Sequence, residues 1–312
     1  MGAMTAPLAG RTASRAPAER SVRAAGAASL AVRSLIDGPR RPAQVIAAFT
    51  SALYLELRAA GPEPRVLALV TPSAVRLPNA VVMTPHQAAA SMDCTAWAVT
   101  GGDACVGEGF VQAGRVRVPV RRWWDPSPVL GPLSRARLEQ GCAALEGVCA
   151  ASSCRPGLAG HPAPAALAAC CAAGDLAGAV EAAESMVGLG PGLTPSGDDV
   201  LAGLLLALRL LGGAIRGGTR AVWLADWLSA AVTYDAASRT TSLSATLLHC
   251  AARGQAAAEA ATVLRAFAGQ EPAVPAVTRL LAAGHTSGAD LAWGLAAGCR
   301  AALALSAGTA VY

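Results

Sequence analysis

The stretch RVRVPVRRWWDPSPVLGPLSRARLE, residues 115–139, changes character in its middle, and that change decides the fold class. At its start Val116, Val118 and Val120 alternate with Arg115, Arg117 and Arg121, the period of a strand with one buried and one wet face. Asp125-Pro126-Ser127-Pro128 and Gly131-Pro132 then break any regular element. From Ser134 onward the apolar residues recur at helical spacing.

Upstream the strand period persists. Residues 66–70, 80–83 and 95–99 are predicted strands, with a turn at Gly101-Gly102-Asp103. Downstream, helices are predicted over 134–151, 163–173, 176–187, 196–211, 219–237, 242–253, 255–268, 274–283 and 287–307. Strands followed by helices indicate an α+β fold. The expected order is a disordered basic tail (1–41), an antiparallel barrel-like or sandwich-like region (42–131) and a mostly helical region (132–312).

Composition narrows the function. The chain has 312 residues, 54% of them hydrophobic, with a net charge of +5. Alanine makes up about a quarter of it, so the bulky core is smaller than the apolar fraction suggests. Residues 1–41 hold seven Arg against Glu19 and Asp37, whereas the remainder balances 18 Arg against 18 acids. A neutral folded part argues against nucleic acid as a partner. The Arg stripe at 115–121 is read as a solvated sheet face, with binding of an anion or an acidic partner as the alternative. The apolar run 200–215 is interrupted by Arg209 and flanked by Asp198 and Asp199, which falls short of a membrane span. Nine Cys with no CxxC pair, and no secretion signal, read as free thiols in the cytoplasm.

The chemistry concentrates in Gly188-Leu-Gly-Pro-Gly-Leu-Thr-Pro-Ser-Gly-Asp-Asp199, a glycine-rich loop that runs into an apolar helix. Such a loop can turn backbone N–H groups into one concavity, and the helix start adds the positive end of its dipole. It matches neither a Walker loop nor a dinucleotide fingerprint, and the chain has no Lys. Ninety-one residues later Ser287-Gly-Ala-Asp-Leu-Ala-Trp-Gly-Leu295 repeats the pattern of Ser196–Leu204, Ser-Gly-x-Asp-x-x-x-Gly-Leu. Ser196 with Asp199, and Ser287 with Asp290, also fit the capping box, in which the pair only satisfies a helix start. Capping does not account for Gly203 and Gly294, each costing roughly 1 kcal/mol relative to Ala inside a helix. Close backbone approach would offset that cost, so the two helices are expected to cross there and bring their N-termini together.

Between the copies, Arg239-Thr240-Thr241-Ser242-Leu243-Ser244 opens another helix. Arg239 reads either as a bidentate clamp for a carboxylate or phosphate or as a surface residue beside a cap. The candidate anion-binding residues are therefore Gly190, Gly192, Thr194, Ser196, Gly197, Asp198 and Asp199; Arg239, Thr240 and Thr241; and His285, Thr286, Ser287, Gly288 and Asp290. No catalytic residue is assigned and no cofactor is expected. A divalent cation held by Asp198, Asp199, Asp235 and Asp290 is the less favoured use of those acids.

Together, the 188–199 loop, the 239–244 run and Gly284-His-Thr-Ser-Gly-Ala-Asp290 resemble a bacterial family whose named member is the AllH-type subunit of oxamate carbamoyltransferase. Leu77-Pro-Asn-Ala80 and Trp124-Asp125-Pro126 match more weakly, and the resemblance spans roughly residues 42–305. It implies a subunit of a multi-protein enzyme of allantoin breakdown, with other carbamoyltransferase subunits as partners and a small anion as substrate. The reaction implied interconverts oxalurate plus phosphate with oxamate plus carbamoyl phosphate. A non-catalytic assembly or regulatory subunit, and a stand-alone enzyme on a small anionic metabolite, are the alternatives. On the first reading the 188–197 loop holds phosphate or carbamoyl phosphate, while Arg239 and the 284–290 turn hold the ureide carboxylate.

Overall fold

A computed structural model describes residues 22–58, 65–85 and 93–306. The protein is α+β, an eight-stranded closed barrel followed by a helical region. The strands are β1 (Val22–Ser29), β2 (Arg41–Phe49), β3 (Ala52–Leu57), β4 (Val66–Val70), β5 (Ala80–Pro85), β6 (Asp103–Gly107), β7 (Phe110–Ala113) and β8 (Val116–Trp124). A one-turn helix, α1 (Arg33–Ile36), links β1 to β2. Around the barrel the order is β1-β5-β4-β3-β2-β6-β7-β8.

The barrel is mixed rather than uniformly antiparallel, since β1 runs parallel to β8 and β4 parallel to β5. Eight strands leave an interior that side chains fill. Val45, Leu53, Leu55, Leu67, Leu69, Val81, Met83, Val106, Val111 and Val118 fill it here. On β8 Val116 and Val118 point in, whereas Arg115, Arg117 and Arg121 are exposed, which bears out the alternation and favours a wet face. Arg117 lies over the Phe110 ring, 4.0 Å from its centroid.

Two further expectations are corrected. The tail does not run to residue 41: β1 and α1 lie before it, β2 starts at it, and β1 closes the barrel. Its alanine-rich sequence has weak β propensity, so pairing with β5 and β8 is what makes it a strand. The earlier tail residues lie outside the described residues. Residues 95–99 are not a strand, because the Asp93 side chain accepts from Thr95 N at 2.9 Å and starts a 3-10 turn over Cys94–Ala96. β2, β3, β6 and β7 went unpredicted.

The helices follow the predicted pattern closely: α2 (Arg135–Ala151), α3 (Pro162–Ala173), α4 (Leu176–Met186), α5 (Ser196–Ala214), α6 (Thr219–Tyr234), α7 (Ala236–Arg239), α8 (Ser242–Ala252), α9 (Ala258–Phe267), α10 (Ala273–Leu281) and α11 (Ser287–Ser306). Among the described residues no helix is long and apolar enough to cross a membrane. All nine cysteines are free thiols, and Cys94, Cys142, Cys171, Cys250 and Cys299 are buried as small apolar groups.

At the centre α5 and α11 pack on one another. A Cβ on Gly203 would lie 2.3 Å from the Leu291 carbonyl oxygen and 2.9 Å from Leu295 N. One on Gly294 would lie 2.1 Å from the Val200 oxygen and 2.9 Å from Leu204 N. Leu291 and Leu295 are the counterparts of Val200 and Leu204 in the repeat, so the contact is reciprocal, as across a local twofold axis. Only hydrogen side chains allow this approach, and the expected crossing is found.

The barrel is tied to the helices along β3, β4 and the loop after β4. Val66 N donates to Thr246 Oγ1 of α8 at 3.1 Å, and Ala258 N of α9 to the Arg76 oxygen at 3.0 Å. All five residues of β4 are buried, Leu67 and Leu69 toward the barrel core.

Candidate functional site

The loop into α5 is held mainly by the protein itself. Gly188 has a φ of +75°, and a Cβ there would sit 2.2 Å from the Arg239 oxygen, so only glycine fits. Its N–H donates to Asp198 Oδ1 at 2.8 Å. Buried Asp198 also accepts from Thr240 Oγ1 at 2.5 Å and Ser244 Oγ at 2.7 Å. Thr241 Oγ1 donates to the Leu193 oxygen at 2.5 Å and accepts from Ser244 N at 3.0 Å. Gly197 N donates to the Leu189 oxygen at 2.9 Å. The 239–244 run thus serves the loop as a brace. Gly190 and Gly192 lie exposed at its tip with φ of +112° and +99°.

Arg239 is not gathered with these groups into a pocket. Its Nη2 donates to the Glu184 carbonyl oxygen, and its Nη1 lies 3.4 Å from Asp235 Oδ1. It joins the ends of α4 and α7. His285 is exposed. Among the described residues no group of three or more His, Cys, Asp and Glu is placed to hold a metal ion.

The capping-box reading fails at α5. Pro195 is the N-cap, Ser196 is already in the first turn, and no side chain caps the helix. The crossing pairs the residues across the repeat instead: the hydroxyl beside Asp199 is that of Ser287, and the hydroxyl beside Asp290 is that of Ser196. Thr194 Oγ1 and Ser287 Oγ are hydrogen-bonded at 3.0 Å.

Burial pushes the Asp199 carboxyl up to about 8, with the charges of Asp290 and Asp198 adding to this and hydrogen bonding from Ser287 and Thr194 opposing it. Burial pushes Asp290 up too, against hydrogen bonds from Ser196, Gly157, Thr286 and Leu158. One oxygen of each carboxyl, Oδ2, is buried without a hydrogen-bond partner. The twins differ in what lies in front of them. Gly157 N covers Asp290, donating to its Oδ1 at 2.8 Å. Asp199 instead lines a cavity of about 250 Å³ between the barrel and the helices.

Thr194, Asp199, Ser287 and Gly288 of the predicted set meet in that cavity, with Gly284 beside them. Tyr54 and Leu77 close it from the barrel side, Leu243 from α8, Glu259 from α9 and Gln255 from the loop between those helices. Glu259 Oε2 is a second buried carboxylate oxygen without a partner. Tyr54, Gln255, Glu259 and the Gly157 cover were not foreseen, and none stands in a recognisable motif. Tyr54 and Glu259 come in only through tertiary packing, of β3 on α8 and of α9 on α5.

No solved structure matches the chain. A protein-family model matches residues 186–299, a span that contains the glycine loop, the 239–244 run, Glu259 and the second copy of the motif, and leaves the barrel outside. That model is described as oxamate carbamoyltransferase subunit AllH, so the match over the motif-bearing helices supports the family that the motifs resemble.

Proposed function

We propose that the protein is a subunit of an oxamate carbamoyltransferase-like complex and that the cavity at Asp199 binds its small substrate. The reaction would join oxalurate and phosphate to give oxamate and carbamoyl phosphate, or run in reverse. The observation that carries this reading is the cavity wall itself. Thr194 and Asp199 from one copy of the motif and Ser287 and Gly288 from the other share it, inside the span that matches the family.

Carbamoyl transfer asks for positioning and for charge stabilisation at a carbonyl and a phosphate. The paired hydroxyls of Thr194 and Ser287 supply hydrogen bonds, and the starts of α5 and α11 supply positive dipole ends close by. A short anionic substrate suits a cavity of this volume. The partners in this reading are the other subunits of the complex. Exposed aromatics on α6 support it: Trp223 and Trp227 are each half exposed and stack edge to face, with Tyr234 beyond them.

Isothermal titration calorimetry of the full chain with phosphate, carbamoyl phosphate and oxamate tests the proposal. Asp199→Ala should abolish binding of whichever ligand the wild type takes, while Arg239→Ala should leave it within a few-fold. Binding lost in Arg239→Ala and kept in Asp199→Ala would move the site to the outer loop. Undetectable binding of all three by the wild type would favour an assembly role.

A further inference from the structure

The cavity described above carries two carboxylates on its wall, Asp199 from the first turn of α5 and Glu259 from the first turn of α9. Each has one oxygen, Oδ2 and Oε2, that is buried and without a hydrogen-bond partner. The fold can satisfy a carboxylate where it needs to: neighbouring Asp198 has three donors. Leaving a buried acceptor unpaired is costly, so two in one cavity call for a reason.

The rest of the lining does not offer one. It contains no Arg or His, and much of it is apolar, including Leu77, Leu206, Leu243, Leu247, Leu280 and Leu291. A ligand that answers these oxygens must therefore bring hydrogen-bond donors. The charged end of a phosphate or carboxylate brings no such donor to them.

We propose that Asp199 and Glu259 receive the primary amide (carbamoyl) end of the ligand as acceptors of its N–H groups, with the anionic end turned away from them. The inference rests on the carbamoyltransferase reading for the choice of ligands, since oxamate, oxalurate and carbamoyl phosphate all carry that group. It selects primary amides over free anions. The protonated form of Asp199, favoured by burial, adds a second point of recognition. A carboxylic acid offers one O–H donor and one carbonyl acceptor, which complement the C=O and N–H of an amide. The hydroxyls of Thr194 and Ser287 stand on the same wall, hydrogen-bonded to one another.

Calorimetry on the full chain with two matched pairs tests this. Oxalate replaces the amide nitrogen of oxamate by oxygen, and acetyl phosphate replaces that of carbamoyl phosphate by a methyl group. Oxamate and carbamoyl phosphate should bind at least about 100-fold more tightly than their counterparts, because a site built around donors rejects analogues lacking them. Asp199→Leu and Glu259→Leu should each erase most of that ratio, whereas Asp199→Asn, which keeps one donor and one acceptor, should preserve it.

Thermal melting separates this role from a structural one. Both Leu variants should melt at or above the wild-type temperature, since each removes an unpartnered buried carboxylate. A clear drop in melting temperature would make the carboxylates structural and overturn the proposal. Equal binding within each pair would overturn it too, while leaving the small-anion reading standing. Failure of all four ligands to bind would overturn both.

Discussion

Three aspartates in the repeated motif have three different fates. Asp198 is the anchor of its own loop, Asp290 is covered by Gly157, and Asp199 alone lines the cavity. Asp199 has a consequence for pH. Its carboxyl is raised in the folded protein from an ordinary 3.8 to about 8, so the native state keeps a proton that the unfolded chain gives up. The contribution is full below about pH 4, declines as pH rises toward 8, and is lost above it. Urea midpoints measured across pH 4–9 should therefore fall with pH more steeply in the wild type than in Asp199→Asn. Parallel curves would contradict the assignment. The repeat of Ser, Asp and Gly at a spacing of 91 residues was legible in the sequence. The fates were not, because Ser196 and Asp199 have the same spacing whether they cap one helix or face the partner copy across a crossing. The hold on Arg239 was not legible for a similar reason, since the Glu184 carbonyl to which it donates comes from another helix.

At the level of elements the account turns on the α5–α11 crossing. Gly203→Ala and Gly294→Ala each place a Cβ against backbone that cannot swing aside, and should cost roughly 2–3 kcal/mol in chemical denaturation. Gly147 of α2 is the control: it is exposed, and a Cβ there meets nothing within 4 Å. Gly147→Ala should stabilise by about 0.5–1 kcal/mol. Equal effects at the three sites would deny the crossing its role. These glycines could be read in advance because the chain uses alanine so freely that a glycine inside a helix stands out. The helices were legible for the same reason that they are stable, long apolar faces at period 3.6. The strands were less so. β1 is alanine-rich and owes its form to neighbours distant in sequence, and residues 95–99 alternate like a strand yet turn under the Asp93 cap.

Across the whole molecule the barrel and the helices meet at the cavity. β1, from the segment expected to be a tail, closes the barrel against β8, and β3 contributes Tyr54 to the wall. Neither segment lies in the span that matches the family, so the site is shaped by parts of the chain inside and outside that span. The basic charge expected to belong to a tail is partly structural: Arg33, on α1, pairs with Asp37 at 3.0 Å and lies over the Trp123 ring. The apolar helix α5 owes its hydrophobicity to its central place, with neighbours on every side, and Arg209 near its end pairs with Asp226 at 2.6 Å.

The central claim is that the duplicated motif builds a ligand cavity at Asp199. A crystal structure of the full chain grown with saturating oxamate tests it most directly. The account predicts electron density for the ligand between Thr194, Asp199 and Ser287, with its amide nitrogen toward Asp199 and Glu259. Ligand density at the Gly190–Gly192 tip or beside Arg239, with the cavity empty of it, would contradict the account.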